Sequence, residues 1–224
     1  MTHKIGLFFG SFDPVHKGHL EVVNCLDYSS FNEIWLMVTP ENPFKKGQIV
    51  ASFQQRIEML SIAIAENRNQ KKIIKICDLE AKLTEPYYTA NTLAYLTKNF
   101  TESKFHLIMG ADTFMSLYQG HPTSNQSGPL DSPRQWYKKD YILENFGITI
   151  YPRDNYCFEN NSKFTELQKI IQNTKQTNMM RVKTIDLSSS QIREMINAGN
   201  MKEIDTALHQ GVINYIQKNQ LYIA

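Results

Sequence analysis

Two histidines near the N-terminus have the spacing and the setting of a phosphate-binding site. His16 and His19 stand three residues apart in the stretch GSFDPVHKGH, residues 10–19, which follows a short apolar run. A helix that begins here would present unpaired N–H groups and the positive end of its dipole to an anion. Imidazoles change charge near neutral pH, so a pair of them at this point would respond to bound phosphate. The chemistry predicted from these residues is therefore phosphate binding.

The residues alone also allow simpler explanations for this histidine pair. A helix-capping turn with surface imidazoles and an incomplete metal site both stay open, although we expect no protein-bound metal. The stretch matches neither the Walker sequence GxxxxGK[ST] nor the dinucleotide fingerprint GxGxxG. Gly10 would allow a ligand to approach the backbone closely, and Asp13-Pro14 would fix a turn before the histidines. The setting therefore favours an anion site of another type.

The chain alternates short apolar runs with amphipathic segments, which is the pattern of a parallel sheet covered by helices. Strands are predicted at residues 4–10, 33–40, 72–79, 104–112, 147–153 and 181–187. Helices are predicted at residues 19–28, 52–67, 89–100, 136–146, 163–174, 188–199 and 209–222. Ser52 with Gln55, Thr89 and the serines from 188 are expected helix caps, and Gly199 is an expected helix stop. The predicted fold class is α/β, a Rossmann-like parallel sheet with helices on both faces.

Polar and charged residues follow several of the predicted strands. They are Thr39 to Lys46, Gly110 to Asp112, Arg153, and Ser188 to Arg193. In doubly wound sheets, ligands bind at the carboxyl ends of the strands. We therefore expect these residues to share one site with the two histidines.

The length of 224 residues suits one domain. Residues 119–134 hold three prolines and two glycines and almost no large apolar residue, which predicts an inserted loop. We expect a single domain over residues 1–224, with this insertion and with a small helical C-terminal part from about residue 188.

Charge and cysteine content exclude several classes of function. A net charge of +2, from 24 basic and 22 acidic residues, is too balanced to predict nucleic-acid binding. The three cysteines are far apart in sequence, so we interpret them as reduced structural residues. Neither a signal peptide nor a membrane span of about 18 apolar residues is present. We expect a cytoplasmic protein without nucleic-acid or membrane partners, and homo-oligomerisation stays open.

The stretch GSFDPVHKGHL resembles the GxFDPxHxGH signature of the nucleotidyltransferase superfamily of adenylyl and cytidylyl transferases. Further segments resemble, in order, motifs of its bacterial nicotinate (nicotinamide) mononucleotide adenylyltransferase branch. They are NPFKK at 42–46, YTANTL at 88–93, LIMGADTF at 107–114, Trp136 followed by ITIYPR at 148–153, and LSSSQIR at 187–193. The resemblance runs from about residue 4 to the C-terminus and is interrupted by residues 119–134.

This resemblance implies adenylyl transfer from ATP to nicotinate mononucleotide, which gives deamido-NAD and pyrophosphate in NAD biosynthesis. The mononucleotide phosphate would attack the α-phosphate of ATP in line, with Mg²⁺ carried by ATP and without a covalent enzyme intermediate. Catalysis would then depend on positioning and on stabilising charge, which requires cations and hydrogen-bond donors rather than a nucleophile.

The resemblance also assigns residues to roles. The catalytic set would be His16, His19, Lys45 and Arg193. ATP would be bound by Gly10, Ser11, Phe12, His16, His19, Gly110, Asp112, Ser189, Ser190, Ile192 and Arg193. The mononucleotide would be bound by Phe9, Lys45, Thr89, Trp136 and Arg153.

Three of these roles have structural alternatives. Asp112 would accept a ribose hydroxyl, or would cap the helix after the fourth strand. Trp136, at the start of a predicted helix, would stack on the pyridine ring or only pack. Thr89 would lie beside the pyridine carboxylate, whereas Arg153, at the end of the fifth strand, is either a substrate ligand or a surface arginine.

The chain departs from the family motifs at two positions. Phe44 stands where the family has a histidine, which removes a polar contact beside Lys45, and Ser190 stands where it has a threonine. The insertion leaves the choice between nicotinate and nicotinamide mononucleotide open. A sister transferase with another phosphate acceptor, such as phosphopantetheine, and a non-catalytic nucleotide-binding sensor are the remaining alternatives.

Overall fold

The computed structural model describes residues 3–41, 47–67, 73–119, 136–153, 162–174, 176–180 and 187–223. Its strands are β1 His3–Gly10, β2 Glu33–Val38, β3 Ile74–Cys77, β4 Ser103–Gly110, β5 Gly147–Tyr151 and β6 Thr177–Met179. Its α-helices are α1 Lys17–Asn24, α2 Phe53–Glu66, α3 Thr89–Asn99, α4 Ala111–Gln119, α5 Lys139–Asn145, α6 Ser162–Asn173, α7 Ser189–Asn197, α8 Met201–Ala207 and α9 Gln210–Lys218. Single 3₁₀ turns lie at Tyr28–Ser30 and Leu79–Lys82.

The strands form a six-stranded parallel sheet in the order β3-β2-β1-β4-β5-β6. All five residues of β5 are buried, as expected for a strand inside a parallel sheet with both faces covered. The predicted α/β class with a Rossmann-like sheet is therefore confirmed.

The chain divides into two compact units. One comprises Phe8–Tyr87 and Thr184–Ala224, and we call it the N-loop unit because it contains residues 10–19. The other comprises Met1–Leu7 and Tyr88–Lys183, and we call it the central unit.

In the N-loop unit, β2 pairs with β3, and α2 packs on α9. Ser52 and Gln55 form the predicted capping box at the start of α2, with each side chain accepting the other's backbone N–H. Between α2 and α9, Tyr215 Oη donates to Glu58 Oε2 at 2.6 Å. Fully buried apolar side chains such as Leu60 and Val212 add the larger share of the stability, at about 2 kcal/mol each.

In the central unit, β4, β5 and β6 pair in that order, and a chain of polar side chains crosses them. Thr149 Oγ1 donates to Asn178 Oδ1 at 2.8 Å, so it must accept a hydrogen bond from His106 Nε2–H, also at 2.8 Å. His106 is 8% exposed, and burial together with the charge of Lys4 lowers its pKa to about 4.

Several predicted boundaries were wrong in informative ways. Thr89 does not cap α3, because the helix already begins there and Tyr88 is the cap residue. Trp136 lies three residues before α5, and Arg153 lies two residues beyond the end of β5. Strand β6 at 177–179 and helix α8 were not predicted, since both are too short for a clear apolar period. Residues 181–186 of the predicted sixth strand, and all but the first residue of the predicted insertion at 119–134, lie outside the described residues.

Within the residues that the structure describes, no helix is both long and apolar enough to cross a membrane.

Candidate functional site

The two histidines of the N-loop unit lie at the start of α1. His16 is the residue before the helix, with extended backbone, and His19 is in its first turn. His19 Nδ1 accepts the backbone N–H of His16 at 3.2 Å, so the proton of the neutral ring is on Nε2. The ring centroids of His16 and His19 are 3.6 Å apart.

Phe12 forms a wall against the His19 ring. Its φ of +50° lies in the left-handed region, which costs a non-glycine residue about 1 kcal/mol or more. Packing maintains this conformation, since Phe12 is 1% exposed and contacts His19 edge-to-face at 5.0 Å. Gly10 is required beneath it, because a Cβ there would lie 2.9 Å from Phe12 Cζ.

The Asp13 carboxylate is fully buried and joins three segments of the N-loop unit. Oδ2 accepts the N–H of Val50 at 2.8 Å, and Oδ1 accepts the N–H of Ala51 at 3.1 Å. Tyr222, which follows α9, donates its hydroxyl to Oδ1 at 2.7 Å. Burial, and then the adjacent Asp13 charge, raise the pKa of Tyr222 strongly, so this hydroxyl remains a donor.

Helix α7 is bonded directly to the same turn. Ser188 caps the helix as predicted, and Gln191 completes a capping box that was not predicted. Arg193 Nη1 donates to the carbonyl oxygen of Asp13 at 2.7 Å and lies 3.8 Å from its Oδ2, while Ser189 Oγ donates to the carbonyl oxygen of Pro14 at 3.0 Å. The LSSSQIR motif at 187–193 therefore contacts the motif at residues 10–19, as predicted from the sequence.

Arg56 was not predicted as part of this region, yet it connects two loops. Its guanidinium donates to the carbonyl oxygens of Ser11, Thr39 and Pro40 at 2.7, 2.8 and 2.9 Å. The residue is 1% exposed, and burial lowers its pKa while the charge of Asp13 opposes that shift. Arg56 thus holds the segments that follow β1 and β2 in a fixed arrangement.

The central unit places a buried carboxylate oxygen after β4. Asp112 does not cap α4, because the helix begins at Ala111 and Asp112 is its second residue. Among the described residues its Oδ1 has no hydrogen-bond partner, although that atom is buried. Gly110 permits this placement, since a Cβ there would collide with Asp112 Oδ1 and lie 3.3 Å from the Tyr151 ring. The arrangement provides an acceptor for a hydroxyl group.

Aromatic residues distant in sequence meet elsewhere in the central unit. Trp136 donates its indole N–H to Ser116 Oγ at 3.1 Å, which ties it to α4. The next residue, Tyr137, stacks on Tyr88 at a centroid distance of 5.0 Å, although its side chain is partly open to solvent. This contact brings the Thr89 and Trp136 segments together, and no motif around the two tyrosines predicts it.

The other predicted residues fall as follows. Phe9, Ser190 and Ile192 lie in the N-loop unit, and Ile192 is fully buried, so its side chain packs in the protein interior. Ser190 Oγ accepts from Arg193 Nη2 at 3.2 Å. Arg153 is partly exposed in the central unit, and Lys45 lies outside the described residues.

Three further contributors escaped sequence reasoning. Arg56, Tyr222 and the carboxylate of Asp13 act through backbone groups and through contacts distant in sequence, which no local motif reveals. Among the described residues, no group of three acidic, histidine or cysteine side chains could hold a metal ion.

Residues 7–195 match the family model described as cytidylyltransferase-like. A protein of Flavobacterium psychrophilum named "Probable nicotinate-nucleotide adenylyltransferase" is 34% identical over 98% of this chain and 98% of its own length. A protein of Christiangramia forsetii with the same name is 33% identical over 99% of this chain and 100% of its own.

A similar fold occurs in the solved structure of Plasmodium falciparum nicotinic acid mononucleotide adenylyltransferase complexed with NaAD. It has a TM-score of 0.77 and 19% identity, and the match covers 98% of this chain and 97% of that one.

Proposed function

This chain belongs to the cytidylyltransferase-like family, and we propose that it transfers the adenylyl group of ATP to nicotinate mononucleotide, releasing pyrophosphate and deamido-NAD. The observation that carries the proposal is the bonding of Arg193 and Ser189 to the Asp13-Pro14 turn beside His16 and His19. Cations and helix N-termini from both ends of the motif set are thereby gathered in one place.

The N-loop unit would bind the triphosphate. The first turns of α1 and α7 contain backbone N–H groups, and phosphate oxygens are suitable acceptors for such groups. His19 would donate from Nε2, because its Nδ1 is already occupied by the N–H of His16. Arg193 would stabilise the charge that develops at the α-phosphate, and Lys45 would add a second cation.

The central unit would bind the ribose and the pyridine. Asp112 Oδ1 would accept a ribose hydroxyl, which satisfies a buried acceptor. Trp136 offers an aromatic face for the pyridine ring, oriented by its hydrogen bond to Ser116. Thr89 and Arg153 would supply polar contacts to the mononucleotide.

The setting of the reaction follows from its substrates. Mg²⁺ would arrive as the MgATP complex, in which it neutralises phosphate charge. The family model takes in parts of both units, which supports a single nucleotidyltransferase domain over residues 1–224. Because ATP and pyridine nucleotides are metabolites of the cytoplasm, we place the protein there.

The experiment is a product assay with purified protein, MgATP and one mononucleotide at a time. We expect deamido-NAD and pyrophosphate in equal amounts from nicotinate mononucleotide, and NAD at a lower kcat/KM from nicotinamide mononucleotide. A preference for the amide would overturn the substrate assignment. Tight ATP binding without dinucleotide from either substrate would overturn the activity.

A further inference from the structure

Tyr222 lies far in sequence from every motif of the proposed site, yet it contacts the buried centre of one of them. Its hydroxyl donates to Asp13 Oδ1 at 2.7 Å, and both residues are almost fully buried. The segment after α9 adopts left-handed backbone at Gln220 (φ +50°) and Tyr222 (φ +64°). Such conformations are unfavourable for non-glycine residues and persist only where contacts maintain them.

Asp13 relays this contact towards the proposed ATP site. The same residue accepts Arg193 Nη1 through its carbonyl oxygen at 2.7 Å and faces it through Oδ2 at 3.8 Å. Val50 and Ala51 satisfy further lone pairs of the carboxylate with their N–H groups. A carboxylate bound by three hydrogen bonds has a single orientation, and Oδ2 in that orientation contributes to the position of the Arg193 guanidinium.

We infer that Tyr222 is a positioning residue for adenylyl transfer, acting through Asp13 on Arg193. This inference rests on the proposed function. Tyr222 would not touch ATP. Without its hydroxyl, Oδ1 would lose its shortest hydrogen bond. The carboxylate, then held by the N–H groups of Val50 and Ala51, would shift relative to Arg193 and move its guanidinium away from the phosphates.

The chain offers a matched control in Tyr215 on α9. Its hydroxyl donates to the Glu58 carboxylate at 2.6 Å, which is nearly the same bond in the same unit. Glu58 also accepts a hydrogen bond from Gln54, and among the described residues no hydrogen bond joins it to the proposed site. Tyr215→Phe therefore removes a comparable tyrosine–carboxylate bond without affecting Asp13.

The test compares Tyr222→Phe with Tyr215→Phe at a temperature where both are fully folded by circular dichroism. Because hydrogen bonds to charged groups are strong, we expect Tyr222→Phe to lower kcat/KM for ATP about tenfold. The KM for nicotinate mononucleotide should change far less. Tyr215→Phe should stay within about twofold of the wild type in both. Equal kinetic effects of the two variants would overturn the inference.

A double-mutant cycle asks whether the effect passes through Arg193. In an Arg193→Lys background the guanidinium contact with Asp13 is already lost, so adding Tyr222→Phe should lower kcat/KM by no more than about threefold. A full tenfold loss in that background would show that Tyr222 acts by another route and would overturn the inference.

Should Tyr222→Phe fail to fold, Val50→Pro removes the N–H group that donates to Asp13 Oδ2 instead. It should give the same selective loss, and unchanged kinetics would overturn the inference.

The same measurements separate this inference from the proposed function. If the wild type makes no dinucleotide, the proposed function fails, and calorimetric ATP binding replaces turnover as the readout. Weaker ATP binding by Tyr222→Phe but not by Tyr215→Phe would still support positioning of Arg193. Equal binding by both would refute it.

Discussion

The turn at residues 10–19 and the segment around Trp136 are held in place by different interactions. In the N-loop unit, buried charged groups bond mostly to backbone: Arg56 to three carbonyl oxygens, and Asp13 to two N–H groups. In the central unit, one indole hydrogen bond and a pair of stacked tyrosines position the corresponding residues. Charge stabilisation at a phosphate requires fixed dipoles, whereas stacking on a flat ring tolerates adjustment. We therefore expect the two regions to respond differently to substitution.

The largest effect is expected where a side chain would act on transition-state charge. His19→Ala should lower kcat about 10²–10³-fold, because it removes the Nε2–H donor beside the phosphates. Steady-state kinetics with both substrates would measure it. Cys25→Ser, at the exposed end of the same helix, is the control and should leave kcat unchanged. A His19→Ala enzyme with near-normal kcat would contradict the assigned role.

Substitution of Arg56 tests how much a buried charge stabilises the N-loop unit. Arg56→Met would leave three carbonyl oxygens unsatisfied and would remove one of the cations near Asp13, so we expect a loss of about 3–5 kcal/mol in the free energy of unfolding. Lys75→Met also removes a cation, but from an exposed ion pair with Glu33, and should cost less than about 1 kcal/mol. The two variants are compared by urea denaturation. Similar losses in their free energies of unfolding would show that the three hydrogen bonds of Arg56 contribute little.

Sequence reasoning succeeded where one local pattern decided the outcome. The apolar periods predicted the sheet, the Ser52 capping box and the serines from 188 predicted two helix starts, and the motif order predicted the family. It failed where the determinant was distant in sequence. Arg56 reads as an ordinary charged residue on an amphipathic helix, since only the fold shows that its side chain faces carbonyls from two loops. Tyr222 similarly belongs to a segment without any motif.

A third prediction concerns the polar chain that crosses the sheet of the central unit. The pKa of His106 is about 4 in the folded protein and near 6.5 when unfolded, so between these values the unfolded state binds more protons. The folded state therefore loses stability as pH falls from 6.5 towards 4, by up to about 3 kcal/mol from this group. His106→Gln, which cannot titrate, should flatten that part of the curve in urea denaturation. An unchanged slope would mean that other groups cause the acid sensitivity.

The smallest effect is expected at Trp136, and it distinguishes stacking from orientation. Trp136→Ala removes the aromatic face, and since stacking of a ring on an aromatic side chain is worth about 1–3 kcal/mol, the KM for nicotinate mononucleotide should rise about tenfold. Ser116→Ala keeps the ring and removes only the acceptor of its indole N–H, so the expected rise is about twofold. The KM for ATP should stay constant in both variants. If Ser116→Ala matched Trp136→Ala, orientation of the indole rather than its surface would be limiting, and the central unit would depend on fixed polar contacts as strongly as the N-loop unit.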